Sequence, residues 1–429
     1  GKDPWPDENY LMEQMQKTER YQKMKSAGAS DEAILQSFNT KSNIKLYDVK
    51  KDSIVDVVIS PLDSLKHYCK MLRSGLLCVD NKTGLVKAWV GGYDYNSNKF
   101  DHVKAVRQVG STFKPIVFAQ AIRIGMDPCK FYPNIVKTYP EWDNWKPENV
   151  DHSQGGSNNM PQTLAKSINV ITAAIGMEAG LSEIATLASE MGIRQKILAV
   201  PSLSLGSVDG NLLDLCRVYG TIANRGKSFE IQCIKRIEDK NGKVLFDYEV
   251  EKKMPKQVLL EDVADLLIKM LEKVVNNGTG SAIRSVYRLE GEIAGKTGTS
   301  QENADGWFIG FTPSFLTGVW VGAESPVIKF KYGNLGQGAN AALPIWAKFN
   351  HKIKLITKIA TKIKDEKFAE PSDSLKNNYA CIFSNYYYNN QDVPDSLGFS
   401  TDTMRVFSNP ILDEMRAQKL KDSLQKRLN

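Results

Sequence analysis

Hydrophobic positions fall into distinct regimes along the chain. In Ser74–Tyr95 the runs LLCV and LVKAWV are short and β-prone, and Asp80-Asn81-Lys82-Thr83-Gly84 between them is hairpin chemistry. Gly91-Gly92 stops the second strand. From Gly110 to about Gly280 the apolar residues recur mainly at helical spacing, as in Pro161–Gly180 and Leu181–Met191. The clearest run is Leu259–Asn277, where Val263, Leu266, Leu267, Met270, Leu271 and Val274 precede the stop signal Asn276-Asn277-Gly278. Glu230–Tyr248 interrupts this region as a hairpin turned by Asn241-Gly242. Strand patterns resume at Gly291–Ser300, Gly306–Gly310 and Phe315–Gly322. β signals therefore flank a helical middle. The predicted fold class is α+β, with one antiparallel sheet built from both ends of the core and a helical lobe inserted between them.

The flanks differ from this core. Residues 1–60 are charged and rich in Met and Gln, with helical patches at Tyr10–Lys25 and Ser30–Phe38, and read as a linker remnant or small ancillary unit. The core domain is expected over residues 61–350. Residues 351–429 form an extension: a Lys-rich segment (His351–Lys367), a polar Tyr-rich stretch and a charged helix over Pro410–Asn429. A solvated helix face is the favoured reading of the Lys-rich segment, over contact with anionic lipid or wall polymer.

Composition narrows the class. With 429 residues, 24% charged and 42% hydrophobic, the chain is globular and long enough for two or three units. Its 56 basic and 49 acidic side chains leave a charge of +7, too small an excess to argue for nucleic acid. No run approaches the roughly 18–20 consecutive apolar residues of a membrane span. No signal peptide opens the chain, and its first residue is Gly, so a cut piece of a longer protein is expected. Cys69, Cys78, Cys129, Cys216, Cys233 and Cys381 lie far apart without a CxxC pair, and their even number allows disulfides without demanding them. His67, His102, His152 and His351 show no ligand spacing, so no metal is expected.

Three short motifs then stand in order. The first, Gly110-Ser111-Thr112-Phe113-Lys114-Pro115, opens the helix after the hairpin. Ser111 and Lys114 share a helix face within side-chain reach. Pro115, tolerated only in a first turn, places Ser111 at or beside the N-terminus. There its Oγ meets free backbone N–H groups and the positive end of the helix dipole. A serine beside an amine able to take its proton is a nucleophile–base pair. In isolation the same string is more often an N-cap serine followed by a solvated lysine.

Ser167-Ile168-Asn169 joins two helical runs, its hydroxyl suited to relaying protons and its amide to binding a peptide carbonyl. Alone, such a triplet is usually a turn or cap. The third motif is Gly295-Lys296-Thr297-Gly298-Thr299-Ser300, on a strand after the lobe. An edge strand there can pair with a peptide-like substrate, and Gly298 lets another backbone approach closely. Lys296 supplies positive charge, and the hydroxyls of Thr297 and Thr299 can bind a carboxylate. Backbone N–H groups of Ser111 and Thr299 together could hold an oxyanion. The bland alternative is a glycine-rich strand end with a solvated lysine. The ordered conjunction of SxxK, SxN and KTG, each on the element its chemistry requires, outweighs the separate alternatives.

Further text agrees: TGLVKAWVGG at 83–92, RQVGSTFKP at 107–115, WKPEN at 145–149, SLSLGS at 202–207, ANRGK at 223–227, GTG at 278–280, AGKTGTS, and DGWFIG at 305–310. From roughly Ser60 to Lys348 the chain resembles the transpeptidase domain of class A, bifunctional penicillin-binding proteins. The resemblance implies a serine β-lactamase/penicillin-binding-protein-like fold. It makes Ser111 the acylated nucleophile and Lys114 its general base. Ser167 and Asn169 would line the cleft, Lys296, Thr297 and Thr299 would bind the substrate carboxylate, and Gly298 would be the substrate-binding strand's point of close approach. The implied activity is D,D-transpeptidation of peptidoglycan stem peptides, donor D-Ala-D-Ala to acceptor amine, with β-lactams acylating the same serine and no cofactor. It further implies an extracytoplasmic, periplasmic location, contact with the membrane only through a missing N-terminal anchor, and possible partners among wall-synthesis proteins.

Nothing in the chain resembles the family's anchor or glycosyltransferase domain, and residues 1–60 resemble only the linker after it. The rivals are a carboxypeptidase or β-lactamase using the same nucleophile, and a non-enzymatic β-lactam-sensing or scaffold module. Asp101-His102 and Asp151-His152 have the residue types of a relay, but such pairs are more often caps or surface contacts.

Overall fold

The computed structural model describes residues 4–5, 8–95, 99–251, 254–330, 332–356 and 366–383. The middle of the Lys-rich segment, most of the Tyr-rich stretch and the helix expected over Pro410–Asn429 lie outside the described residues. Residues 1–60, read as a linker, carry three helices, α1 (Glu8–Gln16), α2 (Glu19–Ser26) and α3 (Asp31–Asn39), then a hairpin of β1 (Ser42–Asp48) and β2 (Ser53–Ile59); α4 (Pro61–Lys70) follows. Thr18, Ser30 and Ser60 each accept a backbone N–H three residues on, the side-chain caps that start α2, α3 and α4. Met15, Ile34 and Phe38 bury together as a small core of this unit.

The main domain begins with the expected hairpin, β3 (Arg73–Asp80) and β4 (Val86–Val90). Its turn is held by the Asp80 carboxylate, which accepts from the N–H of Lys82 and the N–H and hydroxyl of Thr83. The two-residue strands β5 (Arg107–Gln108), β6 (Tyr132–Pro133), β7 (Ser157–Asn158) and β8 (Asp209–Gly210) tie loops of the lobe together, β5 with β8 and β6 with β7. The lobe itself contains α5 (Lys114–Arg123), α6 (Met160–Lys166), α7 (Asn169–Ala179), α8 (Leu181–Met191) and α9 (Leu212–Ala223). A surface hairpin of β9 (Arg236–Glu238) and β10 (Val244–Asp247) follows, then the short α10 (Tyr248–Glu251) and the long α11 (Glu261–Asn277). The chain returns to the sheet as β11 (Ala294–Thr299), β12 (Asp305–Phe311) and β13 (Phe315–Gly322).

Five antiparallel strands in the order β11-β12-β13-β3-β4 confirm a sheet drawn from both ends of the domain. Its central strands read as unbroken apolar runs because both faces are covered. Side chains alternate between faces. Leu77, Val79, Trp307 and Trp320 join the core shared with the lobe, whereas Leu76, Cys78, Phe308 and Val319 pack beneath the helix Leu343–Leu355, around Trp346. Each large apolar side chain so buried contributes about 1.5–3 kcal/mol.

Beyond residue 350 the described segment 366–383 belongs to the same core. Phe368 meets Phe311 edge-on at 5.5 Å, and Leu375 and Ile382 are buried. A disulfide joins Cys381 to Cys129 in the loop after α5. The cysteine spacing had left pairing open, and 252 residues separate these two.

Candidate active site

The nucleophile's position follows from local backbone rules. Gly110–Phe113 form a 3-10 turn, and α5 begins only at Lys114 with Pro115 in its first turn, so Ser111 sits one turn ahead of the α-helix rather than within it. Gly110 has φ +54°, and a Cβ there would stand 2.3 Å from the Thr299 carbonyl oxygen. A missing side chain thus presses the serine turn against β11. Gly298 works from the strand side: its Cβ would meet Thr112 Cγ2 at 2.6 Å and Val109 O at 3.0 Å. The close approach expected at Gly298 is therefore made by the chain's own nucleophile turn, and Gly298 does not line the cleft. The N–H of Gly110 donates to Gly206 O at 3.1 Å, so the SLSLGS text is the backing of this turn.

The SxxK lysine is wholly buried. Lys114 Nζ lies 2.7 Å from Ser167 O, 2.7 Å from Asn169 Oδ1 and 3.3 Å from Ser167 Oγ. Burial, and then the neighbouring charge of Lys296, push its amine well below the usual lysine range. Carbonyl and amide oxygens can only accept, so a neutral amine donates twice to them and leaves its lone pair for the Ser167 hydroxyl at 3.3 Å. Lys296 is also fully buried; it donates to Ser167 Oγ at 2.9 Å and to Thr297 O at 3.1 Å, and burial lowers it to about 7. Ser167 therefore has an amine on either side. It can hold that place because α6 ends there: Ser167 adopts φ 59° as the left-handed cap between α6 and α7.

Thr297 and Thr299 line the cleft from β11, the end strand of the sheet, while Lys114 and Lys296 lie behind its wall. Thr297 Oγ1 is 2.6 Å from Thr279 Oγ1, which brings the GTG text to the site. Thr299 Oγ1 accepts from the N–H of Gly338 at 3.1 Å. The cleft has a volume of about 920 Å³ and includes Ser111, Ser167 and Asn169, so the structure gathers all three motifs.

Asn149 in WKPEN carries no signal of a role in the sequence. Its Oδ1 accepts the N–H groups of Asn169 and Val170 at 2.8 and 3.1 Å, capping α7 from a distance, and its Nδ2 donates to Asn134 Oδ1 at 2.8 Å. No local spacing announces a cap 20 residues away. The histidines stay outside. His102 is buried against Trp320 and held at about 4 by burial and then by Arg73 and Arg107, while His152 is exposed beside Glu148. Among the described residues no three His, Cys, Asp or Glu side chains gather as a metal site.

The site thus joins a serine turn, two buried lysines and a hydroxyl-lined edge strand on one antiparallel sheet. Residues 75–324 match the penicillin binding protein transpeptidase domain and residues 1–72 the penicillin-binding protein middle domain. The chain belongs to the penicillin-binding protein transpeptidase family. Penicillin-binding protein 1A of Rickettsia typhi is 31% identical over 352 residues, covering 76% of this chain and 44% of the relative. Penicillin-binding protein 1A of Aquifex aeolicus is 33% identical over 312 residues, covering 71% and 40%. The chain thus spans less than half the length of these relatives. The crystal structure of penicillin-binding protein 1A from Haemophilus influenzae shares the fold with a TM-score of 0.60 at 24% identity, over 70% of this chain and 49% of the other. The PonA1 protein from Mycobacterium tuberculosis in complex with penicillin V does so at 0.59 and 21%, over 87% and 97%.

Proposed function

We propose that this chain is a peptidoglycan D,D-transpeptidase acting through a Ser111 acyl-enzyme. The observation that carries the reading is the Lys114–Ser167–Lys296 chain beside the Ser111 turn. Lys114, its proton affinity lowered by burial, takes the Ser111 proton as Oγ attacks the carbonyl of the donor's D-Ala-D-Ala bond. The N–H groups of Ser111 and Thr299 receive the oxyanion, and the Thr297 and Thr299 hydroxyls receive the terminal carboxylate. As the C–N bond breaks, the proton passes from Lys114 through Ser167 to the leaving amine, which restores the neutral lysine. Lys296 holds Ser167 in line and supplies positive charge. Asn169 fixes Lys114 through its Oδ1. An amine of a second stem then attacks the acyl-enzyme, its proton leaving by the reverse route, and a crosslink forms. β-Lactams acylate the same serine.

The activity places the substrate outside the cytoplasm, and an extracytoplasmic, periplasmic location goes with this reading. Among the described residues no single helix is long and apolar enough to cross a membrane. A fluorescent penicillin is expected to label the chain and not Ser111→Ala; label persisting in the variant refutes the nucleophile. With a D-Ala-D-Ala donor and added amine, aminolysis is expected to exceed hydrolysis. Hydrolysis alone would mark a carboxypeptidase or β-lactamase, and labelling without any turnover a sensor or scaffold.

A further inference from the structure

The charged side chains lining the cleft have no part in this chemistry, and one of them is a cation with no carboxylate partner among the described residues. The ionisable side chains lining the cleft are Lys146, Glu148, Asp151, Lys166 and Glu302. Lys146 lies 3.6 Å from Glu148, and Glu302 pairs with Lys329. The Asp151 carboxylate accepts from the N–H and hydroxyl of Ser153. Lys166 differs. Its Nζ donates to Asn158 Oδ1 at 3.0 Å, and among the described residues no carboxylate lies within ion-pair distance of it.

The arrangement is built rather than incidental. Asn158 is only 7% exposed, and its backbone is fixed by the β6–β7 pairing with Tyr132. Its amide oxygen is a neutral acceptor that fixes the direction of a side chain which would otherwise sample many rotamers. One of the three ammonium N–H groups is used there, and two remain. Lys166 also ends α6 and immediately precedes Ser167, so this charge stands one residue from the hydroxyl held between the two buried lysines. An oriented, unneutralised ammonium in a peptide-binding cleft is complementary to a carboxylate.

We propose that Lys166, positioned by Asn158, forms a subsite for a carboxylate of the stem peptide other than its terminal one. The inference rests on the transpeptidase reading, which already assigns the terminal carboxylate to Thr297 and Thr299. The chemistry it selects is a diamino-dicarboxylic acid in the stem, whose side chain ends in both an amine and a carboxylate, over lysine, which carries the amine alone. Either the donor or the acceptor stem can bring that carboxylate, and the two sources separate kinetically.

In the donor arm, the full chain is acylated by Nα-acetyl peptides ending in D-Ala-D-Ala, with meso-diaminopimelate before them, its side-chain carboxyl either free or amidated. In the acceptor arm, the donor is fixed, and the ratio of transfer to hydrolysis is measured with acceptor amines carrying a free or an amidated carboxyl. The free acid is expected to be favoured about tenfold in one of the arms, the size of one partly exposed charge-assisted hydrogen bond. That preference weakens with added salt. Lys166→Gln removes it and Lys166→Arg retains it. No preference in either arm, or a preference that survives Lys166→Gln, overturns the subsite. The wild-type comparison needs no variant, so a misfolded one does not shield the proposal. A wild-type chain that penicillin fails to label sinks the transpeptidase reading itself; labelling without acid preference sinks the subsite alone.

Discussion

Gly110→Ala tests the contact between the nucleophile turn and β11, because the added Cβ meets backbone rather than a movable side chain. That Cβ would lie 2.3 Å from Thr299 O and 2.8 Å from Thr299 C. Real Cβ contacts essentially never fall below 3.0 Å, so the nucleophile turn and β11 must separate by at least 3.0 − 2.3 = 0.7 Å. Alanine at φ +54° adds about 1–2 kcal/mol of backbone strain. Together with the overlap, the variant is expected to lose about 2–4 kcal/mol of stability, measured by urea unfolding. The catalytic consequence is larger. The two N–H groups assigned to the oxyanion, those of Ser111 and Thr299, sit on the two elements forced apart, and a displacement near 1 Å lowers the acylation rate by about 100-fold. The assay is the second-order rate constant for labelling by a fluorescent penicillin. Gly28→Ala is the control: its φ is +79° but no atom stands within 4 Å, so only the backbone cost applies and labelling stays at the wild-type rate. A folded Gly110→Ala protein that labels within about threefold of wild type would refute the argument that this contact sets the oxyanion geometry.

Two more outcomes follow from the buried groups. Acylation needs Lys114 unprotonated, so its rate falls with falling pH; Lys296→Met removes a charge that depresses Lys114 and should move this acid limb to higher pH, and an unmoved limb refutes the coupling. Lys296 itself titrates at about 7 in the fold against about 10.4 unfolded, so between those values the unfolded chain binds more protons and stability rises with pH, read from urea midpoints. The Cys129–Cys381 bridge closes a loop of 252 residues; Cys381→Ser should cost about 3–5 kcal/mol, and a reductant should lower the melting temperature of the wild-type chain but not of the variant. Equal sensitivity of both proteins to the reductant would rule the bridge out as a source of stability.

Period and punctuation placed the main elements of the core, while the β1–β2 hairpin of the opening stretch went unread. The run Leu259–Asn277 became α11, and the strand patterns after Gly291 became β11 to β13, because apolar spacing at 3.6 or two residues states which face is buried before any partner is known. Pro115 likewise fixed where α5 starts, since a ring without an N–H is tolerated in only one turn. The three motifs supplied the residue types of the site.

Other properties exist only through contacts between distant segments. Lys114 and Lys296 look like ordinary charged residues in the chain; their lowered proton affinity comes from complete burial, which depends on the whole lobe closing on the sheet. The glycine at 298 signalled a close approach, but only tertiary packing decided that the approaching backbone is the nucleophile's own turn. Asn149 capping α7 across 20 residues, the 252-residue disulfide and the unneutralised Lys166 are equally silent in local spacing. Sequence patterns encode short-range geometry, because dihedral preferences and side-chain periodicity act over a few residues. Desolvation, reach and charge balance are set by which segments the fold brings together.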